Sequence, residues 1–91
     1  MTTRTVEIGS SVGLHARPAA LFVQAVTASG IAITIARPGG KPAPANSILG
    51  VMALGAKHGE TVELASEAEG ADAVLDSLVD LLKQDLDAEE G

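Results

Sequence analysis

A two-layer α+β domain is expected from three features of the sequence. Short segments alternate apolar with polar residues, longer segments repeat apolar residues every three or four positions, and glycines or prolines separate nearly all of them. In chain order the pattern reads strand, helix, two strands, helix, strand, helix. That order is satisfied by helices that each bury one side on a single face of a small, mainly antiparallel sheet. With 91 residues the chain is expected to form one domain over 1–91, able to bury about 60–65% of its unfolded surface.

Thr2–Ile8 places Thr2, Arg4, Val6 and Ile8 on one side and Thr3, Thr5 and Glu7 on the other, a half-buried strand rich in β-branched residues. Gly9–Gly13 then loops. From Pro18 to about Ala28, Leu21, Phe22, Ala25 and Val26 recur at helical spacing, with Gly30 just past the end. Proline is tolerated in a first helical turn and pushes the preceding residue out of the helical region, so this helix is expected to start near Arg17 or Pro18. Ile31, Ile33 and Ile35 alternate with small or polar residues in a second strand, turned by Arg37-Pro38-Gly39-Gly40. Lys41–Ala45 carries two prolines that cannot donate to a ladder, which confines it to a poorly formed edge strand.

Asn46-Ser47 supplies an N-cap for a short helix over Ile48–Leu54, closed by Gly55. This helix is apolar nearly all round. Ile48, Leu49 and Met52 fall on one side and Val51 and Leu54 on another, so one set can feed the core while the other faces out. Gly59–Ser66 forms a fourth strand with Val62 and Leu64 inward. After Gly70, Ala71, Val74, Leu75, Leu78 and Leu82 make the buried stripe of a last helix, with Asp72, Asp76 and Asp80 on a solvated stripe. The acidic residues 85–91 are expected to fray.

Composition removes several functional classes. There is one Phe and no Trp or Tyr, and the formal net charge is −6, so neither stacking platforms nor an attractive field for nucleic acid is present. No cysteine is available for a disulfide or a thiolate metal site, and no apolar run approaches the ~18 residues of a membrane span. A soluble cytoplasmic protein without direct membrane insertion is expected, as a monomer because no large apolar face is left over. The charge is uneven. Residues 1–58 carry Arg4, Arg17, Arg37, Lys41 and Lys57 against Glu7 alone, whereas residues 59–91 carry Lys83 against eleven carboxylates. This division either orients the protein on an acidic partner or reflects a solvated last helix and tail.

The stretch Gly13-Leu14-His15-Ala16-Arg17-Pro18-Ala19-Ala20 carries the chemistry. His15 directly precedes the helix, facing its free N–H groups and the positive end of its dipole, where an anion is stabilised. That field disfavours the imidazolium and lowers the pKa, keeping the ring neutral and nucleophilic, while Arg17 offers a planar fork of donors to phosphoryl oxygens. Neither metal nor other cofactor is required. Taken alone, His-x-Arg-Pro also fits a surface-loop histidine beside a solvated arginine. His58, between Lys57 and Gly59, reads as a solvated turn residue. Asp76-Ser77-Leu78 has the form of a phosphopantetheine attachment site, but Ser77 falls inside the last helix rather than at the opening of one.

Together with Asn46-Ser47-Ile48-Leu49-Gly50-Val51-Met52-Ala53-Leu54-Gly55, the His15 stretch resembles the two signature segments of HPr, the histidine phosphocarrier family of the bacterial phosphoenolpyruvate-dependent sugar phosphotransferase system. The resemblance extends over essentially the whole chain. It implies an open-faced β-sandwich, β-α-β-β-α-β-α, with a four-stranded antiparallel sheet covered on one face by three helices. It further implies that His15 accepts a phosphoryl group at Nδ1 from phospho-enzyme I and passes it to IIA domains of sugar permeases, with Arg17 neutralising its charge. Ala20, Ile48, Leu49 and Met52 would form the docking surface. Ser47 matches the position phosphorylated by an HPr kinase/phosphorylase in many members, and equally suits a plain helix N-cap. An alternative is a regulatory binding module of the same fold switched at Ser47. Asn46, Gln24 and Thr27 stand where lysines occur in many or several members, which lowers the positive charge around the docking surface.

Overall fold

The computed structural model describes residues 1–9, 13–14 and 16–84; the expected tail over 85–91 lies outside them. The elements follow the expected order: β1 (Thr2–Glu7), α1 (Ala16–Ser29), β2 (Thr34–Ala36), β3 (Ala43–Pro44), α2 (Ile48–Ala53), β4 (Thr61–Ser66) and α3 (Ala71–Lys83). The four strands form one antiparallel sheet in the order β1-β4-β2-β3. Arg4 pairs with Leu64, which pairs with Ile35, which pairs with Ala43, so one row of residues crosses the whole sheet.

That register sends one parity of every strand into a common core. Val6, Ile8, Ile33, Ile35, Val62 and Leu64 pack with Phe22 and Val26 of α1, Val51 of α2 and Leu75, Leu78 and Leu82 of α3. Thr3, Thr5, Glu7, Thr34, Thr61 and Glu63 are exposed on the opposite face. The result is an open antiparallel sheet with three helices on one side. Each alternation in the sequence is therefore a direct record of which side is dry.

The strands around the middle of the chain are shorter than the alternation suggests. β2 begins only at Thr34 because its ladder with β4 spans Thr34 to Ala36. Before that, single bonds hold the extended chain: the Ile33 carbonyl accepts from the Ala45 N–H at 2.9 Å, and the Ala32 carbonyl accepts from Ser66 Oγ at 2.7 Å. Ser66 is buried, and its hydroxyl oxygen also accepts from the Ala68 N–H at 3.1 Å. Its polar group is thus satisfied inside the core margin. β3, with Pro42 and Pro44 in or beside it, is a two-residue edge strand, as expected for residues that cannot donate.

Arg4 lies on the helix-facing side of β1 at the sheet edge, where no further strand covers it. Its guanidinium reaches up to α3, donating from Nε to Asp76 at 2.9 Å and from Nη2 to Asp72 at 3.2 Å, while Nη1 donates to the Thr3 carbonyl at 2.9 Å. The acidic stripe of α3 is exposed but is more than solvation, since two of its carboxylates bridge the last helix to the first strand. Exposed pairs of this kind contribute modestly and weaken with salt.

Where β1 ends, the chain meets the end of α3. The Gly9 N–H donates to the Leu82 carbonyl at 2.9 Å, and a Cβ at position 9 would collide with the Lys83 carbonyl oxygen. Backbone approaches this close leave no room for a side chain. Gly9→Ala is expected to force the two elements apart and destabilise the protein by about 1–3 kcal/mol, the range of overpacking substitutions, as read from the midpoint of urea unfolding; an unchanged midpoint would show that α3 yields freely at its end.

Candidate functional site

Helix α1 begins at Ala16, one or two residues before the expected start, so Arg17 and Pro18 both lie in its first turn. Pro18 is the third helical residue, where a missing N–H forfeits no intrahelical bond. No acidic residue lies in that turn, which leaves its positive end without an intrahelical carboxylate to compete with an incoming anion. Arg17 is exposed and Ala20 half-buried. His15 stands between Leu14 and Ala16 in the sequence and lies outside the described residues. Both of its chain neighbours are placed.

The segment before His15 is held from below. Gly13 has φ 75°, a conformation that glycine adopts without strain. A Cβ there would stand 2.6 Å from the Ala56 carbonyl oxygen and 2.8 Å from Lys57 Cα. Leu14, itself buried, donates its N–H to that same Ala56 carbonyl at 2.9 Å. Gly13 is therefore required twice, for its dihedral angle and for the close approach that lets Leu14 bond to Ala56.

The loop that receives this contact has its own supports. Arg37 Nη1 donates to the Leu54 carbonyl at 3.2 Å and Nη2 to Glu60 Oε2 at 2.8 Å, while the other Glu60 oxygen accepts from the Lys57 N–H at 2.8 Å. The Glu60 N–H donates to the Lys57 carbonyl at 3.0 Å, closing the turn. The Lys57 N–H, against the opposing effect of desolvation and with a lesser pull from the Arg37 charge, holds the Glu60 carboxyl below its ordinary 4.5. Neither Arg37 nor Glu60 carries a motif, and their pairing depends on the β2–β4 register, which residue spacing does not disclose.

Helix α2 divides as its periodicity suggests. Ser47 is its N-cap, with Oγ accepting from the Gly50 N–H at 3.2 Å. Val51 is fully buried, while Ile48 and Leu49 are 40% and 79% exposed. Met52 is half-buried and packs partly against the core, as does Leu54. Of the apolar side given to docking, Ile48 and Leu49 are thus open to solvent and Met52 is shared with the interior. α1 packs against both α2 and α3. His58 is exposed in the turn before β4, and Ser77 is exposed in the middle of α3, not at a helix opening as a phosphopantetheine site would require. No group of three or more metal-ligating side chains occurs among the described residues, and none of the described helices is long and apolar enough to cross a membrane.

An open antiparallel sheet under three helices, its first helix opening directly after His15 with Arg17 and Pro18 in the first turn, defines a histidine phosphocarrier architecture. Comparison with known proteins agrees. The family model described as the PTS HPr component phosphorylation site matches residues 2–84. The phosphocarrier protein HPr of Streptomyces coelicolor is 49% identical over 87 residues, covering 96% of this chain and 94% of that protein. Among solved structures, HPr from Thermoanaerobacter tengcongensis superposes with a TM-score of 0.83 at 40% identity, covering 91% of this chain and 92% of that one. Crh, the Bacillus subtilis catabolite repression protein, superposes with a TM-score of 0.70 at 34% identity over 91% of this chain and 94% of that one, and its crystal structure is an intertwined, domain-swapped dimer. The chain belongs to the HPr family of phosphocarrier proteins of the phosphotransferase system.

The lowered pKa of Glu60 has a measurable consequence. A carboxyl whose folded-state pKa lies below its unfolded value contributes stability that is present above the unfolded value and is lost as the pH falls through the folded one. Facing the Lys57 N–H and the Arg37 guanidinium, Glu60 should therefore contribute to an acid-induced loss of stability beginning below 4.5. Glu60→Gln is expected to be less stable than the parent at neutral pH and to converge with it on acidification, in urea unfolding followed from about pH 6 to pH 3; a constant gap across that range would show that the charge of Glu60 is immaterial.

Proposed function

We propose that the chain, acting as one phosphocarrier domain over residues 1–91, accepts a phosphoryl group on His15 Nδ1 from phospho-enzyme I and delivers it to IIA domains of sugar permeases. In the neutral ring with its proton on Nε2, the Nδ1 lone pair attacks phosphorus; the bond to the donor breaks as the N–P bond forms, and the transferred group's negative charge falls beside Arg17 and the opening turn of α1. The match of the phosphorylation-site family model over residues 2–84 carries this reading. The first turn of α1, which presents a guanidinium and lacks a carboxylate, supports it. No metal or cofactor enters the step. The protein works in the cytoplasm, as a monomer, between soluble enzymes.

Docking of both partners falls to Ala20, Ile48, Leu49 and Met52, of which Leu49 is the most exposed. An apolar side chain this exposed has little role in holding the fold, and its natural use is to be buried by another protein. A second reading keeps the surface but makes Ser47 the switch, phosphorylated by an HPr kinase/phosphorylase; the likeness to Crh favours it. A phosphate on Ser47 would exchange the present cap to the Gly50 N–H for a dianion at the start of α2.

Two experiments test the carrier reading, the first of them against the second reading. Incubation with enzyme I, Mg²⁺ and phosphoenolpyruvate, followed by mass spectrometry before and after brief acid treatment, should show one acid-labile phosphoryl group that is lost in His15→Ala; no uptake, with enzyme I active on another carrier, would leave the Ser47 module in its place. Leu49→Asp should change stability by less than about 0.5 kcal/mol, as for an exposed site, while raising the KM for phosphoryl transfer from enzyme I roughly tenfold or more, as loss of an interface anchor does. An unaltered KM would remove Leu49 from the docking surface.

A further inference from the structure

Arg37 and Glu60 grip the turn between α2 and β4 at both ends. Arg37 binds the carbonyl of Leu54, the residue that follows α2, and Glu60 binds the N–H of Lys57, three residues later; the two side chains then bind each other. Ala56 lies between the gripped groups. Its carbonyl is the acceptor for the Leu14 N–H, and Gly13 lies flush against it and Lys57. Three contacts in series, Arg37 to Glu60, Glu60 to Lys57, and Ala56 to Leu14, therefore run from the end of β2 to the residue immediately before His15.

We propose that the Arg37–Glu60 pair is a positioning device for phosphoryl acceptance, holding the 54–57 turn in the one geometry that lets Leu14 dock and so fixing the chain on the N-terminal side of His15. This rests on the phosphocarrier reading given above. Arg37 and Glu60 touch neither donor nor acceptor; they act through Ala56 and Leu14. The Leu54 contact adds a second tie, since the same guanidinium holds the end of the helix that bears Ile48 and Leu49. Two planar, two-pronged groups suit this task better than a single hydrogen bond, because the guanidinium and the carboxylate each bind two partners and fix a direction as well as a distance. The pair is itself open to solvent, so the stability it adds is modest and its larger role lies in geometry.

The test compares the parent with Arg37→Met, Glu60→Gln and Arg37→Lys by amide hydrogen exchange and by phosphoryl-transfer kinetics. In Arg37→Met and Glu60→Gln the Leu14 amide is expected to exchange roughly tenfold faster or more, as local opening predicts, while the β1–β4 ladder amides Val6 and Leu64 accelerate no more than the modest loss of global stability requires. The kcat for transfer from enzyme I should fall severalfold at unchanged KM, because small misplacements of a reacting group cost rate rather than docking. Arg37→Lys, which keeps the charge but not the fork, should recover only part of each effect. An unchanged Leu14 rate, or acceleration of Leu14 and the ladder amides by the same factor, would overturn the proposal, the second by showing ordinary global destabilisation. If the parent takes up no phosphoryl group while enzyme I is active on another carrier, the phosphocarrier reading fails, and the Leu14 exchange rates still decide whether the pair controls this segment.

Discussion

One backbone hydrogen bond, from Leu14 N–H to the Ala56 carbonyl, ties the chain entering α1 to the turn before β4. It joins the loop that leaves β1 to the turn that enters β4, and it is possible only because Gly13 has no Cβ to meet that turn. Its neighbours extend the same seam: Ile8 donates to the Glu60 carbonyl, and Gly59 donates to the Ile8 carbonyl, both at 2.9 Å. The seam continues the β1–β4 ladder past the end of the sheet. Without it Leu14 would still pack its buried side chain in the core, but its backbone would lose the tie that fixes it to the turn before β4.

The sheet makes this arrangement affordable in a chain with so little core. Val62 and Leu64 on β4 are covered by strands on both sides and helices above, while the other face is left to threonines and glutamates. Burial is concentrated on one side, where about 25 cal/mol per Å² of apolar surface favours folding. The helices can then keep part of their surface for other purposes. Helix α2 shows the division within six residues, with Val51 fully buried and Leu49 mostly exposed.

Much of this was legible in the residues. Alternation in Thr2–Ile8 and around Val62 and Leu64 marked the strands, and the helical stripe of Ala71, Leu75, Leu78 and Leu82 marked α3, because each pattern follows directly from which side of the element is dry. The family signature around His15 and Ser47 was equally plain. Ends of elements were less so: β2 was expected from Ile31 but starts at Thr34, since ladder length depends on where the partner strand lies and not on local alternation. The Arg37–Glu60 pair and the Arg4 bridges to Asp72 and Asp76 were invisible, as they join residues 23, 68 and 72 positions apart whose proximity exists only after the strands have chosen their order. Gly9 and Gly13 could be read as loop glycines, but their crowding against Lys83 and Ala56 is a property of the packed chain alone.

The meeting of Gly9 with Leu82 also bears on how the molecule comes into being. β1, the first element of the domain, has its main neighbours in β4 and α3, the last two described. Within this domain the first strand therefore stays unpaired until β4 is in place. Folding then depends on a long-range β1–β4 pairing, a topology that slows folding relative to a protein of the same size built from adjacent hairpins.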